Sequence, residues 1–162
     1  MDTSWMISAT REAWSAIPAP PRTEVEPIFA SWGEETLQTF VGVAPVDVDI
    51  TSDGFLGCSP LLELRAPAAA AYLGTYILGL LDGINLQERC GLFDDLLTRG
   101  HVLGCLLDKT FWRIVIRPHL PVPCLLALVS LSSFLDEKRD LLAWTPEKAA
   151  KLAKLATSPD TP

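Results

Sequence analysis

Apolar residues recur along most of this chain at the three- and four-residue spacings that line one face of a helix. Met6, Ala9, Ala13 and Ile17 form the first such row, which Pro18, Pro20 and Pro21 end. Val25, Ile28, Phe29 and Trp32 form a second, leaving Glu24 and Ser31 towards water, with Pro27 limiting where that helix begins. Gly33 predicts a bend before a short face of Leu37, Phe40 and Val41 behind Glu34 and Glu35. Ala68 to Leu81 is apolar on every side, the pattern of a central helix, and Pro67 suits its first turn. Gly74 and Gly79 each weaken that helix by about 1 kcal/mol relative to alanine, so packing must hold it. Asn85 and Glu88 stand three apart like a capping box ahead of Leu86, Cys90, Phe93 and Leu97, and Gly100 closes that segment. Pro123 opens a long helix through Phe134 and Leu135, and the charged run Asp136 to Asp140 marks its exit to solvent. Thr145-Pro146-Glu147 starts the last helix, with Lys148, Lys151 and Lys154 along one side opposite Leu152 and Leu155.

Two stretches depart from this period. Val46, Val48 and Ile50 alternate with Asp47, Asp49 and Thr51 as in a half-buried strand. Asp53-Gly54 then reads as a hairpin turn, with Phe55 to Leu64 pairing back and Pro60 at an edge or bulge. Phe111 to Ile116 has strand propensity without clean alternation, and reads as extended. The expected fold class is therefore mainly α: a single-domain helical bundle spanning residues 1–156, with a small β-hairpin near 45–64 and a disordered tail at 157–162.

Charge changes this picture more than composition does. Residues 1–63 hold ten acidic side chains against Arg11 and Arg22, a net of −8, whereas residues 64–162 hold ten acidic and eleven basic ones, a net of +1. A one-signed field of that kind disfavours nucleic acid and favours a basic protein partner. Mean hydropathy is +0.27 and 49% of residues are hydrophobic, which excludes general disorder. Ala66 to Leu81 and Pro118 to Leu135 lack full charge, but both fall short of the roughly 20 residues that span a bilayer. They read as core helices, not as membrane segments. The first residues carry no positive charge before Arg11 and no apolar signal core, so the expected location is cytoplasmic. Cys58, Cys90, Cys105 and Cys124 contain no C-x-x-C pair and sit among apolar neighbours, as buried reduced thiols do.

Tests for chemistry return structural readings. His101 and Cys105 are four apart, and His119 precedes Cys124 by five, but their neighbours are core-like. Asp49-Ile50-Thr51-Ser52-Asp53-Gly54 matches the opening of a calcium loop, yet Pro60 stands where the bidentate Glu belongs, and a turn explains the same residues. The lysines of the last helix could touch a phosphate, although three on an exposed face are normally solubilising. No metal or cofactor is expected. Trp32 differs from the other tryptophans because Glu24, Glu26, Glu34 and Glu35 surround it in sequence. An aromatic centre inside an acidic rim is the composition of a binding surface. Glu24, Glu26, Trp32, Glu34, Glu35, Asp47, Asp49 and Asp53 are the candidate partner-binding residues.

Leu62-Glu63-Leu64-Arg65-Ala66-Pro67 leading into Tyr72-Leu73-Gly74-Thr75-Tyr76-Ile77-Leu78, with a late apolar helix ending Ser133-Phe134-Leu135, resembles a family of small uncharacterised bacterial proteins. That family typically shows a Tyr-Leu-Pro-x-Tyr core helix and a late helix ending in Phe-Leu. The likeness covers under half of the chain, and Gly74 stands where the family tends to have proline. By analogy it implies a setting beside a toxin gene, hence an immunity protein that is not an enzyme and occludes a basic cognate toxin. The alternatives are a homo-oligomeric scaffold, such as a homodimer burying helices 67–81 and 123–135, or a small enzyme using His101 and Cys105.

Overall fold

The apolar segment that begins at Ala66 becomes the central element of a mainly α, single-domain bundle. The computed structural model describes residues 3–56, 60–90, 96–142 and 144–158. In order come α1 (Ser4–Trp14), α2 (Arg22–Ser31), α3 (Glu34–Phe40), α4 (Asp53–Leu56), a 3-10 turn at Pro60–Leu62, and α5 (Ala66–Cys90). They are followed by α6 (Leu96–Leu107), α7 (Lys109–Phe111), a π turn at Trp112–Ile116, α8 (Arg117–His119), α9 (Val122–Glu137), α10 (Arg139–Leu142) and α11 (Pro146–Thr157).

Helix α5 buries every residue from Ala68 to Leu78, with α1, α6 and the π turn packed on it. Gly74 and Gly79 are hollows for aromatic rings. A Cβ at Gly74 would collide with the Trp14 indole, and one at Gly79 with the Phe55 ring. Residues that weaken an isolated helix thus let large side chains approach its axis, and the lost propensity is offset by burial. Ala66–Asn85 is long and apolar enough to cross a bilayer, and in this fold 78% of its most apolar window is buried by the rest of the protein. Helix α9 packs against α1 and α11. The Cys124 thiol on α9 donates to the Ala13 carbonyl of α1 at 3.1 Å.

The expected hairpin is absent, and no strand occurs among the described residues. Residues 45–52 form successive turns, with Asp47 N–H donating to the Ala44 carbonyl and Ser52 N–H to that of Asp49. Asp53-Gly54 is not a hairpin turn but the start of α4, capped by Ser52, whose Oγ accepts from Phe55 N–H at 3.3 Å. The alternation did report burial: Val48 is buried, Val46 and Ile50 pack on the core, and Asp47 and Asp49 face water. Side chains take the place of a partner strand. Tyr72 OH donates to the Phe40 carbonyl, Thr75 Oγ1 to that of Pro45, and Arg11 Nη1 to that of Val46, at 2.8, 2.6 and 2.8 Å. With those backbone acceptors satisfied, the segment needs no ladder.

Other expectations shift as well. Pro27 lies inside α2 on its exposed side. Asn85 does not cap a new helix, because α5 continues through it to Cys90, held by buried Leu80, Leu81 and Ile84. Gly100 lies within α6. Phe111 to Ile116 is helical, since burying Phe111, Trp112, Val115 and Ile116 needs a helical and not an alternating period. Asp108 opens this run by accepting from the N–H groups of Thr110 and Phe111 at 2.6 and 3.0 Å. Thr157 belongs to the last turn of α11, and residues 159–162 of the expected tail lie outside the described residues.

Candidate functional site

Two charged surfaces emerge from this scaffold. The first is carried by α2, α3 and α4. Phe29 and Phe40 stack with ring centroids 4.4 Å apart, Phe40 meets Tyr72 edge-on at 5.3 Å, and Phe55 lies 5.2 Å from Tyr76. This aromatic cluster fastens the three short helices to α5. It leaves Glu34, Glu35, Asp47, Asp49 and Asp53 exposed.

Where α3 meets α4, hydrogen bonds join the backbone segments that carry Glu35, Asp49 and Asp53. Thr36 Oγ1 donates to the Gly54 carbonyl at 3.1 Å, and Thr39 Oγ1 joins Ser52 Oγ at 3.3 Å while also donating to the Glu35 carbonyl at 2.8 Å. Glu34 begins α3 and accepts from Gln38 Nε2 at 3.0 Å. Both glutamates occupy the first turn of α3, where a negative charge is favoured by the helix dipole. Trp32 ends α2 with 40% of its surface exposed, and Gly33, at φ 115°, turns the chain into α3.

The remaining candidates stand differently. Glu24 is half-buried, and Glu26 is engaged by Arg22 at 2.7 Å, which holds its carboxyl below the usual range through that hydrogen bond. Asp47 follows the Val46 carbonyl that Arg11 holds. Asp49 is tied into its own turn, accepting from Thr51 Oγ1 at 2.6 Å and Thr51 N–H at 2.9 Å, and those bonds lower its pKa. The geometry is an Asx turn, not an opened cation loop.

Only one wall of the second surface shows in the sequence, the Lys151 and Lys154 row of the last helix. A groove of about 840 Å³ lies between the helical run Lys109–His119 and α11, and Lys109, Arg113, Arg117, Lys151 and Lys154 line it, with Glu147 the one carboxylate among the described residues. Trp112, Ala150 and Leu155 give it an apolar floor. Arg117 Nη2 donates to the Leu155 carbonyl at 2.5 Å, and its guanidinium lies 5.8 Å from the Trp112 ring centroid, so it ties the two walls together. The cue was the spacing Lys109-x-x-x-Arg113-x-x-x-Arg117, hidden by the extended reading of that segment. Compared with family models, curated proteins and solved structures, the chain matches none.

Cys105 and Cys124 are poorly placed for nucleophilic work. Cys105 is 4% exposed, and burial, then the Asp108 charge, pushes its pKa up to about 11. Burial pushes Cys124 to about 12. A thiol held protonated at neutral pH lacks the thiolate on which a Cys-His dyad depends. The side chains of Cys58 and Cys90 lie outside the described residues.

Proposed function

We propose that this chain is a non-enzymatic binding protein that docks a basic protein through the face built by α2, α3 and α4, in the role of an immunity protein occluding the cationic surface of a cognate toxin. The observation that carries the reading is Trp32, a large exposed ring one glycine ahead of Glu34 and Glu35. No described ion pair engages Glu34, Glu35, Asp49 or Asp53, so their field is not cancelled locally. Carboxylates in this arrangement steer a Lys/Arg-rich cleft inwards and raise encounter rates by about 10 to 10³-fold, falling with salt. The tryptophan supplies the desolvated anchor that holds the complex. The resemblance to small bacterial proteins supports a partner encoded next door. A homo-oligomeric scaffold would draw on residues 67–81 and 123–135; Ala68 to Leu78 is buried in this chain's own core, whereas Leu126 is 62% exposed.

The test is co-expression with the product of the neighbouring gene, followed by affinity and association-rate measurements on the isolated complex. Neutralisation is preferable to reversal, because Lys at the first turn of α3 would also oppose the helix dipole. The variant Glu34→Gln/Glu35→Gln/Asp49→Asn is expected to slow association at least ~10-fold at low salt. Trp32→Ala is expected to speed dissociation, costing about 2 kcal/mol or more. Absence of a complex, or an affinity indifferent to both variants, removes the reading.

A further inference from the structure

We infer that the groove between Lys109–His119 and α11 is a binding site for a small organic molecule carrying a diphosphate. Five of the chain's thirteen Lys and Arg residues line this one groove, against one carboxylate among the described residues, in a protein whose overall charge is −7. A multiply charged anion entering this groove would meet several of these cations at once.

Local structure maintains the gathering. Residues four apart on a straight α-helix drift about 40° around the axis at each step. Lys109, Arg113 and Arg117 avoid accumulating that drift because the π turn at Trp112–Ile116, marked by Arg117 N–H donating to the Trp112 carbonyl, places more residues in one turn. All three cations therefore reach one groove. Lys151 and Lys154, three apart on α11, line the opposite wall.

Size and chemistry narrow the occupant. A volume of about 840 Å³ suits a ligand of nucleotide dimensions. A single carboxylate would answer one cation, whereas a diphosphate brings several charges in one short unit that can meet both walls, and guanidinium forks match its oxygens two at a time. The apolar floor of Trp112, Ala150 and Leu155 provides for the organic part and keeps the local dielectric low. Independent residues carry this site, so it stands or falls apart from the acidic face.

Calorimetric titration of the full chain with inorganic pyrophosphate, ADP and a glutamate-rich peptide, at about 20 mM salt, tests it. Pyrophosphate and ADP are expected to bind with a Kd below about 1 mM, ADP more tightly. Arg113→Glu and Lys151→Glu, both at exposed positions, should each weaken binding at least ~10-fold, and Arg113→Gln should do so in part. Circular dichroism verifies that each variant stays folded. No heat with either phosphate, binding that survives both reversals in folded protein, or tighter binding of the peptide than of ADP would each overturn the inference.

Discussion

Cys124 shows at the residue scale how position decides chemistry. The same thiol that would be half ionised near pH 9 in an unfolded chain is held to about 12 by burial, and Cys105 to about 11. Each folded pKa lies above its unfolded value, so the protonated thiol favours the fold. That contribution is complete below pH 9 and is lost as the pH rises through the window up to about 11 and 12. The urea midpoint is therefore expected to fall steadily above pH 9, and Cys124→Ala to show a shallower fall over the same window. Alkylation at pH 8, mapped by mass spectrometry, should modify Cys105 and Cys124 on the order of 100-fold more slowly in the native protein than in urea. Rapid native labelling of either would contradict the burial and reopen a nucleophilic role. Gly74 makes the complementary point: a residue that reads as a weakness of α5 is the hollow that receives Trp14.

At the scale of elements, legibility followed the number of turns that a pattern could span. Helices α9 and α11 were readable because several apolar repeats coincide with a proline or threonine start, and α1 because prolines end its apolar row; Thr145 does accept from Lys148 N–H at 3.4 Å. Three alternating residues could not separate a strand from turns laid over a core, since both bury every second side chain. The deciding partners, Arg11, Tyr72 and Thr75, are distant in sequence. Asp53-Gly54 failed for a related reason, because the same pair serves a hairpin or the first turn of a capped helix. The candidate surface was legible only as a list of acids. Its grouping depends on how α3 meets α4, and the basic groove depends on a π turn that leaves no mark in a helical period. One substitution pair separates charge from architecture here. Asp49→Asn keeps a neutral acceptor for Thr51 and should lower the urea midpoint less than Asp49→Ala, which removes the acceptor. Equal effects would indicate that the turn does not need this acceptor.

Over the whole molecule, the two charged surfaces are carried by different elements joined through α5, which holds α3 and α4 by Tyr72 and Tyr76 and also packs on the π turn. Whether they influence one another is a question of screening. At about 0.01 M salt the Debye length is about 30 Å, comparable with the molecule, and the groove cations repel a basic protein approaching the acidic face. At 0.15 M it is about 8 Å and that repulsion fades. Arg113→Glu/Lys151→Glu should thus accelerate association with the basic partner at low salt and leave it unaltered at physiological salt. Neutralising Glu34 and Glu35 should slow association at both. Stopped-flow rates for the two variants and their combination, taken at both ionic strengths, form a double-mutant cycle whose coupling disappears with salt. Coupling that persisted at 0.15 M would place the groove inside the protein interface, and the assignment of separate partners to the two surfaces would have to be abandoned.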